Sequence, residues 1–301
     1  MADEIAATLL VDCRNTLAEG IQWHPVIERL FWTDIHGSTL WCCDVDGDSL
    51  EQVEMPERVG SFAFLDDGKR LLLALESGLA VFDPQTGDLL RLGDIEPEHP
   101  TTRMNDGRCD REGRFVFGGI DEDGLKPISA VYRYGGGDRL HKLIDGVGCT
   151  NSICFSPDGR WMYVADTPTG IIRRYDYPED DDPLGDAVEF VDLSADKGNP
   201  DGSCIDADGR IWNARFEGGR IQSYDEDAVP GPAITLPVSQ VTCCCFGGLD
   251  LDRLFITTAR ENFTPERDTQ EPTAGGIFVA EVGEAFGATG LEEDWFTGEL
   301  G

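Results

Sequence analysis

A short pattern that recurs six times along the 301 residues constrains the fold more than any other feature of this sequence. A turn that often contains Asp-Gly or Asp-x-Gly leads into an arginine or lysine and then into a strand-like run, as in "GRFVFGGI" and "GRWMYVAD". Repeats of this kind, about 45 residues long, are typical of solenoids and propellers. The anchoring arginines lie 41 to 50 residues apart and are Arg29, Arg70, Arg114, Arg160, Arg210 and Arg253.

Each anchored run is preceded by an apolar run and followed by a second strand-like run. Three strands plus a more variable fourth make the blade of a β-propeller. The six units therefore predict an all-β, six-bladed β-propeller that forms one domain over residues 1–301. The N-terminal run "ATLLVDC" is expected to supply the outer strand of the last blade and close the ring, which would remove exposed sheet edges. Two stacked β-sandwiches are the alternative, but they do not predict so regular a repeat.

Polar residues recur at one position in these units. In a propeller the first strand of each blade lines the central channel, so equivalent positions surround one mouth of it. The position nine or ten residues before each anchor is occupied in the first five units by Glu19, Ser61, Asn105, Asn151 and Asp201, and the sixth falls near Thr242 or Cys243. Asn and Asp are common at strand starts for local hydrogen bonding, and this is the alternative explanation for any one of them.

The side chains at this position are hard oxygen donors. Two carboxylates and two amide oxygens suit a cation such as Ca²⁺, Mg²⁺, Mn²⁺ or Fe²⁺ better than a thiolate-preferring metal. Ligands on one side of an ion leave positions for water and substrate, as a catalytic metal requires. The pattern thus predicts a metal site at one end of the channel.

Several segments resemble the gluconolactonase and senescence-marker-protein (SMP-30, regucalcin-like) family over nearly the whole chain. They include "LAEGIQWHPVIERLFWTDI", "RMNDGRCDREGRFVFGG", "TNSICFSPDGRWMYVADTPTGIIRRYDY" and "NPDGSCIDADGRIWNARFEGGRIQSYD". The resemblance implies a six-bladed propeller that hydrolyses sugar lactones with one divalent ion, which would be Ca²⁺, Zn²⁺, Mn²⁺, Mg²⁺ or Fe²⁺. It also implies Glu19, Asn151 and Asp201 as metal ligands, and Arg103 and Asn105 as the substrate-binding pair. Asp201 is implied as the catalytic base; the alternative is that it orients a water already acidified by the metal, because a cation lowers the pKa of a bound carboxylate and makes it a weaker base.

An acidic trio is a further candidate for substrate binding. Asp121, Glu122 and Asp123 follow the second strand of the third unit, where the family often has an acid that contacts the substrate. The sequence does not single out one of the three, and a solvated turn is the alternative.

The predicted function is hydrolysis of an aldonolactone, a neutral cyclic ester. Opening the ring needs polarisation of the carbonyl group and a water nucleophile, both of which a divalent ion can support. Two alternatives are a non-catalytic, metal-binding regulatory propeller and a hydrolase of another ester or a phosphotriester. The pair Arg103 and Asn105 favours an enzyme, because an ion-binding site has no need of a guanidinium group.

Charge and composition exclude several classes of partner. The 58 acidic and 24 basic residues give a formal charge of −34, which would repel nucleic acids and anionic membranes. No run of eighteen apolar residues is present, and the start "MADEIAATLLVDC" lacks the basic and apolar segments of a signal peptide, so a cytoplasmic location is expected. The ten cysteines, several of them adjacent, are predicted to be buried reduced thiols. A monomer or weak homo-oligomer is expected.

The excess of acidic residues predicts that the protein works in concentrated salt, where the screening length falls to a few ångströms. We expect the melting temperature to rise when the protein is moved from dilute buffer into molar KCl, because screening reduces repulsion between carboxylates. Thermal unfolding followed by circular dichroism would measure this. An unchanged or lower melting temperature would support the alternative, an acidic protein of an ordinary cell.

Overall fold

The computed structural model describes residues 4–300, so residues 1–3 and 301 lie outside the described part of the chain. Its strands, in chain order, are β1 (Glu4–Ala6), β2 (Thr8–Val11), β3 (Ala18–His24), β4 (Arg29–Asp34), β5 (Thr39–Asp44), β6 (Glu51–Glu54), β7 (Val59–Phe64), β8 (Leu71–Leu75), β9 (Gly78–Phe82), β10 (Leu89–Asp94), β11 (Thr102–Cys109), β12 (Phe115–Asp121), β13 (Ser129–Tyr134), β14 (Leu140–Val147), β15 (Thr150–Phe155), β16 (Trp161–Asp166), β17 (Ile171–Asp176), β18 (Ala187–Asp192), β19 (Asn199–Ile205), β20 (Ile211–Phe216), β21 (Arg220–Tyr224), β22 (Pro230–Thr235), β23 (Val241–Gly247), β24 (Arg253–Thr258) and β25 (Ile277–Ala280). Two short helices, α1 (Pro265–Gln270) and α2 (Val282–Phe286), lie near the end of the chain.

These strands form six sheets, one for each predicted repeat. The first four sheets each contain four successive strands, beginning with β3, β7, β11 and β15. The fifth sheet contains β19 to β22 and adds β1, which pairs parallel with β22. The sixth contains β23 to β25 and adds β2, which belongs to the predicted N-terminal run and pairs antiparallel with β25. The fold class is the predicted one, all-β with six propeller blades, while a single closed domain over residues 1–301 stays a prediction.

Two compact units divide the sheets between them. Unit 1, residues 4–56 and 193–292, contains the first, fifth and sixth sheets, and in it β23 packs beside β3 and β19. Unit 2, residues 57–192 and 293–300, contains the second, third and fourth sheets, and in it β11 packs beside β7 and β15. The first strands of the three sheets are thus neighbours within each unit.

The recurring Asp-x-x-Gly-Arg turns have a local cause. In the fifth sheet, Asp206 Oδ1 accepts the backbone N–H groups of Asp208 and Arg210 at 3.1 and 2.8 Å. In the third sheet, Asp110 Oδ1 accepts those of Glu112 and Arg114 at 3.0 and 2.8 Å. A carboxylate that caps these N–H groups stabilises the turn between two strands. The anchor arginine therefore stands at the entry to each second strand, as the repeat predicts.

Aromatic side chains fill the core of both units. Phe115 and Phe117 stack with their ring centroids 5.3 Å apart in unit 2, and Trp212 meets Phe246 edge to face at 6.1 Å in unit 1. Burial of such rings dominates the stability of a sheet protein of this kind. All ten cysteines lie within the described residues as free thiols; eight are buried, as predicted, whereas Cys13 and Cys42 are only partly buried. No helix within residues 4–300 is long and apolar enough to cross a membrane.

Each first strand is interrupted by a β-bulge at the predicted polar position. In unit 2 the register shifts lie between Val59 and Ser61, between Met104 and Gly107, and between Asn151 and Cys154. In unit 1 they lie between Glu19 and Gln22, between Pro200 and Ser203, and between Val241 and Cys244. A bulge redirects a side chain and frees backbone groups of the ladder. This shared irregularity explains why polar side chains recur where a regular strand would favour β-branched residues.

Gly60 provides a test of how closely β7 and β11 pack. A Cβ atom at this position would overlap the backbone of Met104 and lie 2.8 Å from Asn105 N. We expect Gly60→Ala to lower the free energy of unfolding by about 2 kcal/mol or more, since backbone cannot move aside as a flexible side chain can. Urea titration at constant salt would measure the change.

The matched control is Gly93→Ala, in the same sheet, where a Cβ atom would meet nothing within 4 Å. This control should leave the free energy of unfolding unchanged or raise it by a few tenths of a kcal/mol. Equal effects of the two substitutions would contradict the predicted close approach.

Candidate active site

In unit 2, Arg103 is a buried arginine with one nitrogen left for a ligand. It lies on β11 and is 3% exposed. Its Nε donates to Glu122 Oε1 at 2.9 Å, and its Nη1 donates to Met104 O at 3.0 Å and to Asn105 Oδ1 at 2.8 Å. Its Nη2 makes no hydrogen bond with any residue from 4 to 300. This nitrogen is not among the buried polar atoms that lack a partner, so it is accessible and its N–H groups are available to bind a ligand.

The carboxamide of Asn105 joins two sheets of the same unit. Its Oδ1 accepts from Arg103, while its Nδ2 donates to Thr150 O at 2.9 Å and to Asn151 Oδ1 at 3.3 Å. Thr150 and Asn151 lie on β15, so these bonds connect the third sheet to the fourth. The structure therefore brings together both members of the predicted substrate-binding pair and one predicted metal ligand.

The side chain of Asn151 has a defined orientation. Its Nδ2 donates to Thr167 Oγ1 at 2.8 Å, which fixes Oδ1 on the opposite branch of the amide. That oxygen accepts from Asn105, and a carboxamide oxygen has a second lone pair. Asn151 thus presents an oxygen acceptor, the atom type that hard divalent cations prefer.

In unit 1, the predicted carboxylate ligands are buried at the bulges of two first strands. Glu19 on β3 is 7% exposed, and its Oε2 accepts the backbone N–H of Gly20 at 3.0 Å. Asp201 on β19 is 6% exposed, and its backbone oxygen accepts from Asn213 Nδ2 at 3.0 Å. Carboxylate oxygens are ligands that hard divalent cations prefer. Both residues therefore offer the type of donor that the predicted metal site needs.

The donor chemistry of the predicted ligand set fits an oxygen-preferring divalent ion. Glu19 and Asp201 supply carboxylates, and Asn151 supplies an oriented amide oxygen. Within residues 4–300, no three His, Cys, Asp or Glu side chains are grouped to hold a metal ion. The predicted set differs from such a group, since its third donor is an amide.

The acidic trio separates into three different environments. Asp121 Oδ1 accepts from Thr101 Oγ1 at 2.5 Å and its Oδ2 accepts from the Lys126 backbone at 2.9 Å, so it stabilises its own loop. Asp123 makes an exposed ion pair with Lys126. Glu122 alone contacts the predicted substrate-binding pair, through Arg103.

Two arginines hold Glu122 in its charged form. Its Oε1 accepts from Arg58 Nη1 at 2.6 Å as well as from Arg103, and its Oε2 accepts from Arg58 Nη2 at 2.8 Å. Partial burial alone would raise the pKa of Glu122, but the Arg58 and Arg103 guanidinium groups outweigh it and lower this pKa to about 2. Glu122 is thus purely a hydrogen-bond acceptor at neutral pH.

Thr167 and Arg58 were not identified from the sequence. Thr167 begins a 3₁₀ turn after β16, and Arg58 directly precedes β7. Both lie in connections rather than on the first-strand position from which the site was predicted, and neither forms part of a recognisable motif. The sequence signal that could have found these two residues is their position next to strand ends, near the end of the sheet where the polar first-strand residues lie.

The chain belongs to the SMP-30/gluconolactonase/LRE-like family, whose model matches residues 17–260. An L-arabinolactonase of Azospirillum brasilense is 41% identical to it over 94% of both chains. The pentonolactonase XacC of Haloferax volcanii is 30% identical over 85% of this chain and 86% of its own length. A solved structure described as a calcium-binding protein, regucalcin, from Agrobacterium tumefaciens matches with a TM-score of 0.91 at 29% identity, over 98% of this chain and 99% of its own.

The lowered pKa of Glu122 predicts how stability depends on pH. The pKa is about 2 in the folded chain and 4.5 in the reference state, so ionised Glu122 stabilises the fold above pH 4.5. This contribution is lost as the pH falls from 4.5 towards 2. We therefore expect Glu122→Gln to be less stable than the parent protein near neutral pH, by a difference that narrows below pH 4.5. Urea unfolding at several pH values would measure that difference.

Glu112→Gln removes an exposed glutamate of the same unit and controls for the general loss of one negative charge. The difference in free energy of unfolding between Glu112→Gln and the parent protein should not narrow in this way below pH 4.5. A Glu122→Gln difference that stays constant or grows between pH 4.5 and 3 would contradict the assigned ion pairs.

Proposed function

We propose that this chain is a sugar lactonase that uses one divalent metal ion to open an aldonolactone to the aldonic acid. The names of two relatives, L-arabinolactonase and pentonolactonase, support this class of substrate, as does the gluconolactonase in the family description. The two relatives are similar enough in sequence to this chain, and align over enough of its length, for the same active site to be expected here. The panel of substrates to be tested therefore includes both pentonolactones and hexonolactones.

The observation that carries the proposal is the unpartnered Nη2 of Arg103 on a side chain that is otherwise buried and hydrogen-bonded. A lactone offers ring hydroxyls and a carbonyl oxygen, all of which accept hydrogen bonds. A guanidinium N–H can bind a hydroxyl in the ground state, or it can stabilise the negative charge that develops on the carbonyl oxygen. Arg103 is held from three sides, so little conformational entropy is lost when substrate binds.

The metal is proposed to be held by Glu19, Asn151 and Asp201, whose oxygen donors are buried and suited to a hard cation. When bound, a divalent ion polarises a carbonyl group and lowers the pKa of water. Asn105 and Thr167 would keep Asn151 oriented, because they bind its oxygen and its nitrogen respectively. Their role is positional.

Asp201 is proposed to orient the attacking water and accept its proton. In the hydrolysis, the water oxygen bonds to the carbonyl carbon, the ring C–O bond breaks and the proton passes to the departing ring oxygen. A buried carboxylate near this step can act as a general base. A serine or cysteine nucleophile is not needed for this chemistry.

Binding of a cation without catalysis is the second candidate, favoured by the description of the Agrobacterium structure as a calcium-binding protein. The two functions share the same oxygen ligands. They differ in the need for Arg103, because a guanidinium group with a free donor weakens a cation site and strengthens a lactone site.

Lactone hydrolysis measured by pH-stat tests the proposal directly. With added Ca²⁺, Mn²⁺, Zn²⁺, Mg²⁺ or Fe²⁺ we expect at least one aldonolactone to open faster than its spontaneous hydrolysis, and chelator to abolish the difference. Asp201→Asn should lower kcat by about 100-fold or more, the usual effect of losing a general base, and should weaken ion binding in calorimetry.

Asp208→Asn is the matched control. Asp208 is an exposed aspartate in the turn between β19 and β20, at the other end of β19 from Asp201. It should keep parental turnover and ion affinity. Ion binding that is abolished by Asp201→Asn, with no lactone opened by the parent protein, would favour the non-catalytic function.

A further inference from the structure

Arg58 occupies the centre of an ion-pair chain that nothing in the repeat pattern predicts. Its Nε and Nη2 donate to the two oxygens of Glu76, each at 2.9 Å, and its Nη1 and Nη2 donate to the two oxygens of Glu122 at 2.6 and 2.8 Å. Its backbone oxygen also accepts from Glu76 N at 2.8 Å. Arg58 is therefore fixed at both its backbone and its guanidinium group.

The series of ion pairs continues from Glu122 into the proposed substrate site. Glu122 Oε1, which Arg58 binds, also accepts from Arg103 Nε. We propose that Arg58 is a positioning residue, which fixes the Glu122 carboxylate and through it the direction of Arg103 Nη2. This inference rests on the proposed function for its effect on substrate, and on geometry alone for its effect on Arg103.

The geometry of these ion pairs holds the side chains in place more effectively than an ordinary surface ion pair does. Single exposed pairs contribute little, because they lose side-chain entropy and are screened by salt. Here the side chains are 41% exposed at Glu76, 22% at Arg58, 35% at Glu122 and 4% at Arg103, so the ion pairs run from the surface to a buried guanidinium group. Both pairs of Arg58 are bidentate, and a planar guanidinium fork holds a carboxylate in one orientation as a lysine cannot.

Removal of Arg58 would leave Glu122 with one of its three side-chain hydrogen bonds, the one from Arg103. The carboxylate could then turn, and Arg103 would lose the fixed partner of its Nε. Arg103 Nη1 would still bind Asn105 and Met104, so the substrate-binding nitrogen would remain present but less well directed. The expected result is weaker substrate binding rather than loss of the chemical step.

Glu122 has a second consequence for the substrate. Its Oε2 accepts one hydrogen bond, from Arg58 Nη2, and an ionised carboxylate oxygen can accept two. A sugar hydroxyl both donates and accepts, so it can donate to Glu122 while it accepts from Arg103. The arginine on each side of Glu122 keeps this acceptor charged, as its lowered pKa reflects.

Steady-state kinetics of Arg58→Met tests the inference. We expect KM for the best lactone to rise by about 3- to 30-fold with kcat changed less than about twofold, as the loss of a ground-state binding contribution predicts. Arg58→Lys keeps the charge but lacks the fork, so it should restore little of the lost affinity. Glu122→Gln combined with Arg58→Met should resemble Glu122→Gln alone, because Arg58 acts through Glu122.

Arg91→Met is the matched control. Arg91 belongs to the same sheet and pairs with Glu57, the residue directly before Arg58, and with Ser77. It contacts neither Glu122 nor Arg103 in these bonds, so KM should stay unchanged. The inference would be overturned if KM of the double variant rose by the product of the two single-variant increases. Equal KM values for Arg58→Met and Arg91→Met would overturn it as well.

A second readout separates this inference from the proposed function. The Nε–H resonance of Arg103, identified by its loss in Arg103→Lys, should shift and exchange faster with solvent in Arg58→Met than in Arg91→Met. This signal requires no substrate or metal. An inactive parent protein with the expected Arg103 signals would reject only the lactonase function, whereas unchanged signals would reject the positioning role.

Discussion

The carboxamide of Asn105 is the interaction on which the proposed site depends. Its oxygen binds Arg103, and its nitrogen binds the backbone of Thr150 and the side chain of Asn151, so one residue connects the proposed substrate-binding guanidinium group to a proposed metal ligand. Neither aspartate nor glutamine reproduces both bonds, because the first lacks donors and the second is longer. The relation also requires β11 and β15 to be neighbours, as they are in unit 2.

Around this amide, charged groups are paired while the chain as a whole carries a formal charge of −34. Arg58 and Arg103 alternate with Glu76 and Glu122, so the chain of ion pairs has no net charge. A neutral lactone, the proposed substrate, can approach such a site without electrostatic penalty. The formal charge of the protein is thus compatible with a neutral substrate.

Much of this could be predicted from the sequence. The recurrence of the anchor arginines predicted the six sheets, because the Asp-Gly turns beside them are stabilised by local hydrogen bonds that short segments encode. Counting back from the anchors found Asn105 and Asn151, which the structure joins. The choice of Glu122 within the acidic trio and the contribution of Arg58 were not predictable, since they depend on contacts between side chains 19 and 64 positions apart. Such contacts are set by how sheets pack, and no local pattern records them.

The most direct test of the account is a crystal structure of the protein with Mn²⁺ and an aldonate, using the anomalous signal of the metal. We expect one metal peak in contact with oxygens of Glu19, Asn151 and Asp201, and an aldonate hydroxyl or carboxylate oxygen bound to Arg103 Nη2. Metal bound elsewhere, or an aldonate that leaves Arg103 Nη2 without a partner, would contradict it.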